Sequence, residues 1–250
     1  KPNHHPIDAT QGTGPTIPWN SPLAPTQVWR SPQLGVKKSI QFQYETPYFQ
    51  SHEPTGKEEA IWIVLHGYGQ LAEFFIRKFL PHASENRLMI APEGTNHSYL
   101  KDFQGRVGAN WMTSYQRETA IANNHKYLNR MMEEVLSAFE QVPRIHLLGF
   151  SQGAATATRW ASQWEGSLDS LVLWGGGFAH DLALEVAKEK FASTEVILVH
   201  GLEDELITEE SRERQEELLL ELGKPLKLLT FSGGHEIDPK TVERIINQGF

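Results

Sequence analysis

Residues 149–153, Gly-Phe-Ser-Gln-Gly, restrict the possible folds of this chain more than any other feature of its sequence. They follow the apolar run at residues 145–148 and lead into residues 154–157, whose small side chains are typical of a closely packed helix. A Gly-x-Ser-x-Gly sequence between a strand and a helix places the serine in a tight, strained turn that exposes its hydroxyl. Side chains at Gly149 or Gly153 would collide with the neighbouring elements. The motif therefore predicts that Ser151 lies at the carboxyl end of a strand.

Strand and helix patterns alternate from residue 37 onward, with short links between them. This alternation predicts an α/β fold with a mostly parallel central sheet and helices on both faces. Residues 175–195 leave room for one helix between two strands, so we expect no cap domain. The predicted strands cover residues 39–44, 60–65, 87–91, 145–150, 171–174, 196–199 and 226–231, and the predicted helices cover residues 71–83, 118–139, 152–164, 182–191, 209–222 and 239–246.

Composition sets the domain organisation and excludes several classes of protein. Residues 1–35 are rich in Pro, Gly, Thr and Asn and predict an irregular N-terminal arm, and residues 36–250 predict one domain. The net charge of −8 argues against nucleic acid as a partner. The absence of cysteine excludes disulfides, thiolate metal sites and a cysteine nucleophile. The sequence does not indicate the oligomeric state.

The given sequence shows no pattern of a membrane-spanning segment or of a signal peptide. No apolar run approaches the roughly 18 residues that a membrane span needs, so we expect no integral membrane contact. The first residues lack the basic end, apolar stretch and cleavage site of a signal peptide. We therefore expect a cytoplasmic protein, and a signal peptide removed before residue 1 stays open as the alternative.

The hydroxyl of Ser151 is a poor nucleophile at neutral pH unless a neighbouring base takes its proton. His235 follows the last predicted strand through the residues Ser232-Gly233-Gly234, where two glycines permit a close approach to the sheet edge. The carboxyl ends of parallel strands meet at one edge of the sheet. His235 is therefore the candidate general base.

A carboxylate is expected after the preceding strand, where it would orient the imidazole. Glu203, Asp204 and Glu205 are adjacent there. We choose Asp204, because the spacing Gly201-x-x-Asp204-x-x-Ile207 places the acid in the loop with an apolar anchor beyond it, and Glu203 stays the alternative. The order serine, aspartate, histidine along the chain is that of α/β-hydrolases.

Acyl transfer also needs fixed donors for the oxyanion that develops on the substrate. One candidate is the backbone N–H of Gln152, directly after the nucleophile at a helix N-terminus. The other is the backbone N–H of Tyr68, in the glycine-rich residues 66–69 after a buried strand. His66 is expected to orient this loop rather than act as a base.

Aromatic and apolar residues near the same sheet edge predict a substrate pocket. The alternative for each of them is ordinary packing in the core or at the rim. The pocket candidates are Tyr68, Trp111, Met112, Trp174 and Phe178.

These residues resemble the phospholipase/carboxylesterase family of α/β-hydrolases, which includes acyl-protein thioesterases. The resemblance implies hydrolysis of small-molecule esters or thioesters, no metal or organic cofactor, and Ser151, Asp204 and His235 as catalytic residues. Two departures affect the pocket region: Tyr68 and Gln70 replace a small or aliphatic residue and an aspartate, and Trp111-Met112-Thr113 replaces Trp-Phe-Asp. The resembling segments are residues 65–69, 91–94, 110–112, 149–153, 201–204 and 233–235.

The sequence therefore predicts a serine hydrolase that cleaves carboxylic esters through an acyl-enzyme. Carboxylesterase is the first choice, ahead of thioesterase and lysophospholipase. Two alternatives stay open: a non-catalytic binding module on a hydrolase fold, and a peptidase or acyltransferase of the same fold.

Overall fold

The computed structural model describes residues 35–248. Nearly all of the predicted arm, residues 1–34, lies outside the described residues. The chain divides into two compact units between Gln43 and Tyr44, and the predicted division after residue 35 stays a prediction.

The predicted strand at residues 39–44 is wrong. These residues form no regular element, and Ile40 and Phe42 are 88% and 77% exposed. An alternating pattern becomes a strand only where a partner edge supplies hydrogen bonds. The available sheet edge pairs instead with Tyr48–Gln50.

A seven-stranded sheet forms the centre of the domain, in the order β1-β3-β2-β6-β7-β8-β9. β1 is antiparallel to β3 and every other neighbouring pair is parallel. The expected mostly parallel sheet is confirmed. The strands are β1 Tyr48–Gln50, β2 Ala60–Leu65, β3 Arg87–Pro92, β4 Asn96–Tyr99, β5 Val107–Asn110, β6 Arg144–Phe150, β7 Ser170–Trp174, β8 Glu195–Gly201 and β9 Leu228–Phe231.

The helices follow the predicted pattern except in the first one. Residues 71–83 contain a short α-helix and two 3-10 turns, Ile76–Lys78 and Leu80–His82. Pro81, which lacks the N–H that a continuing α-helix needs, lies in the second 3-10 turn. The helices are α1 Ala72–Phe75, α2 Arg117–Leu136, α3 Gln152–Ala161, α4 Leu184–Lys190, α5 Glu209–Glu221 and α6 Pro239–Gln248.

Helices cover both faces of the sheet, which produces two hydrophobic cores. In β2, Ile61, Ile63 and Leu65 belong to the core that contains residues of α2, α3 and α5. Trp62 and Val64 alternate with them and belong to the core that contains residues of α1 and α6. This alternation gives a strand with no exposed face, which explains the continuous apolar run in its sequence.

The strands β4 and β5 form a separate antiparallel hairpin that the sequence patterns did not predict. Polar side chains dominate β4, so no apolar alternation marks it as a strand. The hairpin is attached to the loop after β2 through a bridge between Gln70 and Ala109. Within residues 35–248, no helix is long and apolar enough to cross a membrane.

Candidate active site

Ser151 lies at the sharp turn between β6 and α3, with φ 55° and ψ −119°. Its N–H donates a hydrogen bond to the carbonyl oxygen of Trp174 at 2.8 Å, which ties the turn to the adjacent strand β7. A Cβ atom on Gly149 would overlap the backbone of Gly153, and a Cβ on Gly153 would overlap the carbonyl oxygen of Leu65. Both glycines are therefore required by close backbone packing, as the motif predicts.

The side chains of Ser151, His235 and Asp204 form a continuous chain of hydrogen bonds. Nε2 of His235 lies 2.9 Å from the hydroxyl oxygen of Ser151, and Nδ1 lies 2.8 Å from Oδ2 of Asp204. A carboxylate only accepts hydrogen bonds, so Nδ1 carries the proton and Nε2 is free to accept the proton of the serine hydroxyl. The ring of Phe150 packs against the imidazole, with 4.9 Å between the ring centroids.

Asp204 and Glu203 differ in burial. The Asp204 side chain is 1% exposed, and its second oxygen accepts a hydrogen bond from the N–H of Leu206 at 3.0 Å. Glu203 is exposed, and among the described residues its carboxylate has no hydrogen bond to His235. The loop therefore turns Asp204 inward and Glu203 outward.

The loops after β8 and β9 are packed directly on each other. The N–H of Glu203 donates a 2.9 Å hydrogen bond to the carbonyl oxygen of Gly233. A Cβ atom on Gly201 would overlap the carbonyl oxygens of Gly233 and Gly234. Glycine at position 201 thus lets the loop that carries His235 rest against the loop that carries Asp204.

The glycine-rich loop after β2 passes beside Ser151. A Cβ atom on Gly67 would lie 3.2 Å from the Cβ of Ser151. The N–H of Gly67 donates a hydrogen bond to the side-chain oxygen of Gln70 at 2.8 Å. The N–H of Gly69 donates a hydrogen bond to the carbonyl oxygen of Ala109, also at 2.8 Å. Among the hydrogen bonds of residues 35–248, none has the backbone N–H of Tyr68 or Gln152 as its donor.

His66 is fully buried beneath this loop. The N–H of Gly94 donates to Nε2 of His66 at 2.9 Å, so Nδ1 carries the proton and donates to the carbonyl oxygen of Gly67 at 2.7 Å. Burial lowers the pKa of His66 to about 4, which keeps the ring neutral at physiological pH. The two hydrogen bonds of His66 join the glycine-rich loop to Gly94, as expected of a residue that orients this loop.

Trp111 connects the two segments that carry the candidate oxyanion donors. Its indole N–H donates to the carbonyl oxygen of His66 at 2.8 Å. Its backbone N–H donates to the side-chain oxygen of Gln152 at 2.9 Å, and the Gln152 amide nitrogen donates to the carbonyl oxygen of Met112 at 2.9 Å. Trp111 has no exposed surface, so it is not retained as a pocket residue. The sequence pattern did not indicate this bridging position.

Comparison with known proteins identifies the family. The sequence model of the family described as Phospholipase/Carboxylesterase matches residues 46–248. The chain belongs to this family. The protein is therefore an α/β-hydrolase of the esterase type, and the resemblance stated from its motifs is confirmed. No curated protein sequence gives a significant match to this chain.

Solved structures share the fold of this phospholipase/carboxylesterase family member. The Zea mays acyl-protein thioesterase 2 has a TM-score of 0.63 and 17% identity, with 82% of this chain and 97% of that chain covered. The phospholipase/carboxylesterase of Dyadobacter fermentans has a TM-score of 0.59 and 17% identity, with 84% and 98% covered. The Bacillus cereus carboxylesterase has a TM-score of 0.59 and 17% identity, with 81% and 92% covered.

The other predicted pocket residues of this hydrolase occupy different environments. Trp174 is fully buried, and its indole N–H donates to the carbonyl oxygen of Glu236 at 2.8 Å. Phe178 is 6% exposed and belongs to one of the two hydrophobic cores. Neither is retained as a pocket residue, because neither presents an open surface to a ligand. Tyr68 is 59% exposed, and Met112 is partly buried.

A charged cluster that the sequence pattern did not indicate fixes the helix that follows Ser151. Arg159 on α3 is largely buried and donates to Asp181 at 2.8 Å, and Arg117 on α2 also donates to Asp181. Although burial opposes it, these two hydrogen bonds hold the pKa of Asp181 well below its usual range. The cluster joins α3, the loop after β7 and the start of α2.

In the part of the chain that the structure describes, no group of three or more His, Asp or Glu side chains is arranged to hold a metal ion.

Proposed function

We propose that this protein is a serine hydrolase that cleaves carboxylic esters through an acyl-enzyme intermediate. Ser151 is the nucleophile, His235 the general base and Asp204 the acid that orients the imidazole. The observation that carries the proposal is the unbroken hydrogen-bond path from the Ser151 hydroxyl through His235 to Asp204, with distances of 2.9 and 2.8 Å. Three positions far apart along the chain supply this path.

In the first half of the reaction, the Ser151 oxygen attacks the ester carbonyl while Nε2 of His235 takes the hydroxyl proton. The carboxylate of Asp204 stabilises the imidazolium that results. The N–H groups of Tyr68 and Gln152 are proposed to stabilise the oxyanion of the tetrahedral intermediate. The intermediate collapses as the carbon–oxygen bond to the leaving alcohol breaks, and Nε2 returns its proton to the departing oxygen.

Water completes the second half of the reaction. Nε2 of His235 removes a proton from the water molecule as its oxygen attacks the acyl carbon of the acyl-enzyme. The second tetrahedral intermediate breaks its bond to the Ser151 oxygen, which recovers the proton from the imidazolium. The products are the carboxylic acid, the alcohol and the free enzyme.

Carboxylic esters of small molecules are the proposed substrates, ahead of thioesters and lysophospholipids. The family name supports ester cleavage, and similar structures carry the names acyl-protein thioesterase and carboxylesterase. Because no cap domain covers the strand ends among the described residues, the site suits bonds that are presented from outside.

Labelling with a fluorophosphonate probe and turnover of p-nitrophenyl esters of increasing chain length test the proposal. We expect an adduct on Ser151 and, in Ser151→Ala, a loss of kcat of about 10⁴-fold or more. Ser137→Ala is the matched control, because Ser137 is exposed at the end of α2. An unlabelled Ser151 together with no ester turnover by the wild-type protein would indicate the binding module instead. Amide cleavage without ester cleavage would indicate a peptidase.

A further inference from the structure

A groove of about 530 Å³ opens between α1 and the β4–β5 hairpin. This volume lies within the range of roughly 300–1,000 Å³ that small-molecule sites occupy. Apolar side chains form much of its wall: Leu71, Phe74, Phe75 and Val107. Phe74 is 53% exposed and Val107 is 39% exposed, so apolar surface faces the groove rather than the core.

The groove adjoins the loop that carries the candidate oxyanion donor Tyr68. Gly69 and Gln70, which follow the candidate oxyanion donor Tyr68, line one end of it. The ring of Phe75 packs on the ring of Phe150 with 6.1 Å between centroids, and Phe150 packs on His235 at 4.9 Å. Along this path, two aromatic rings, those of Phe75 and Phe150, lie between a ligand in the groove and the imidazole of His235.

Two cations, Lys78 and Arg106, complete the lining of the groove. Lys78 ends the first 3-10 turn after α1, and Arg106 directly precedes β5. Both are exposed, and among the described residues neither forms an ion pair with a carboxylate. The groove lining contains no aspartate or glutamate.

Several arginines elsewhere in the domain do have acidic partners. The neighbouring Arg77 pairs with Glu73, and Arg117 and Arg159 both pair with Asp181. The chain as a whole carries a net charge of −8, so acidic side chains are in excess. Two cations without acidic partners beside an apolar groove therefore match a ligand that is apolar along its length and negatively charged at one end.

We propose that the Lys78–Arg106 groove binds the part of an ester substrate that is apolar and ends in an anionic group, with a carboxylate as the simplest example. The apolar wall supplies affinity by removing hydrocarbon from water. Lys78 and Arg106 supply selectivity by pairing with the anion. The inference rests on the proposed ester hydrolysis and narrows its substrate class to anionic esters.

The test compares kcat/KM for charged esters with kcat/KM for neutral esters of the same length. One pair carries the charge on the acyl half: the mono-p-nitrophenyl ester of adipic acid and its methyl-capped counterpart. The second pair carries the carboxylate, or its methyl ester, on the alcohol half. We expect kcat/KM of the wild-type protein at low salt to be about 3- to 30-fold higher for the charged member of one pair than for its neutral member. This is the selectivity that two exposed ion pairs with the substrate would supply.

Variants locate the source of this preference. Lys78→Gln and Arg106→Gln are each expected to reduce it, and the double variant to abolish it. Lys101→Gln is the matched control, because Lys101 is an exposed cation in the same hairpin connection and does not line the groove. The preference should also fall in 1 M NaCl, where the Debye length is only about 3 Å. That measurement needs no variant.

Equal kcat/KM for charged and neutral members of both pairs in the wild-type protein would overturn the proposal. A preference that persists in the double variant would also overturn it. Turnover of p-nitrophenyl acetate, which is too short to extend along the groove, separates this failure from a failure of the proposed function. Wild-type acetate turnover with no charge preference rejects the groove assignment alone, whereas acetate turnover that survives Ser151→Ala rejects the hydrolase mechanism.

Discussion

The indole N–H of Trp111 donates a 2.8 Å hydrogen bond to the carbonyl oxygen of His66. The backbone of Trp111 is bonded at the same time to the side chain of Gln152. The peptide segments that carry the N–H groups of Tyr68 and Gln152 are thus linked through one buried residue. Fixed donors stabilise an oxyanion only if they are held in place before the charge develops, so this link has a predicted effect on catalysis.

Trp111→Phe should lower kcat while leaving KM nearly unchanged. An aromatic ring is kept, but the bond to His66 is lost, and the Tyr68 donor is less well fixed when the oxyanion forms. We expect a decrease of about tenfold, less than the 10²–10³ that follows complete loss of a donor. Steady-state kinetics with p-nitrophenyl butyrate measures it.

Trp160→Phe is the matched control for this change. Trp160 is also fully buried, and its indole N–H donates to the side chain of Asn129 at 2.8 Å, away from the site. Both variants should lose a similar free energy of unfolding, but only Trp111→Phe should lose kcat. Equal kcat in the two variants would show that the link to His66 has no catalytic role.

Asp204→Asn and Glu203→Gln test which carboxylate orients the imidazole. In Asp204→Asn, the amide that replaces the buried carboxylate would no longer hold the proton on Nδ1 of His235, so kcat should fall by about 10⁴-fold. Glu203 is exposed, and its replacement should leave kcat unchanged within experimental error. The pair of rate constants is measured at neutral pH with one ester. A large loss in Glu203→Gln with little loss in Asp204→Asn would reverse the assignment.

Gly153→Ala should reduce both stability and activity. The added Cβ would overlap the carbonyl oxygens of Leu65 and His66, which are backbone atoms that cannot move without disturbing β2 and the oxyanion loop. Overpacking of this kind typically costs about 1–3 kcal/mol. Urea denaturation and ester turnover check the two effects. Gly35→Ala is the control, because nothing lies within 4 Å of its added Cβ, and unchanged stability in both variants would contradict the steric argument.

The buried His66 and the partly buried His146 predict that the protein loses stability in mild acid. Burial lowers the pKa of His66 and of His146 to about 4, from an ordinary value of 6.5. Between these pH values the unfolded chain binds more protons than the folded one, so the stabilisation is complete above pH 6.5 and is lost as the pH falls toward 4. The expected decrease in the free energy of unfolding is up to about 1.4 kcal/mol per pH unit for each histidine.

Urea denaturation from pH 7 to pH 4 measures this decrease. His146→Gln should give a shallower pH dependence, because His146 stacks on Trp62 with 4.5 Å between ring centroids and binds the Ser170 hydroxyl within the sheet region. His180→Gln, at an exposed position, should leave the slope unchanged. Parallel curves for His146→Gln and the wild type would contradict the prediction.

The positions of Ser151, His235 and Asp204 could be predicted because strand ends of a parallel sheet are found from apolar runs alone. Each of the three residues follows such a run closely, and topology brings those ends to one edge. The choice of Asp204 over Glu203 depended on spacing, and its burial became visible only with the loop conformation. The backbone conformation of a loop decides which of two adjacent side chains faces inward. The residue types in the loop do not determine that conformation by themselves.

Trp111 and Trp174 illustrate what the sequence could not supply. An aromatic residue beside a strand end can line a pocket or fill a core, and the outcome depends on which face its backbone presents. The strand predicted at residues 39–44 and the missed β4–β5 hairpin have a related cause. Pairing partners determine strands as strongly as the alternation of side chains does, and a polar hairpin held by the bridge at Gln70 has no apolar signal.

The contact between the loops after β8 and β9 has a mechanical consequence. Because position 201 has no side chain, the carbonyl oxygens of Gly233 and Gly234 can pack against it, and the loops that carry Asp204 and His235 are in direct contact. Ser151 follows β6, which is separated from β8 by β7. A small twist of the sheet would therefore change the gap between imidazole and hydroxyl while preserving the gap between carboxylate and imidazole. Asp204 and His235 would move together, still hydrogen-bonded to each other. The distance from Nε2 of His235 to the Ser151 hydroxyl would therefore be the part of the site that is most sensitive to strain in the sheet.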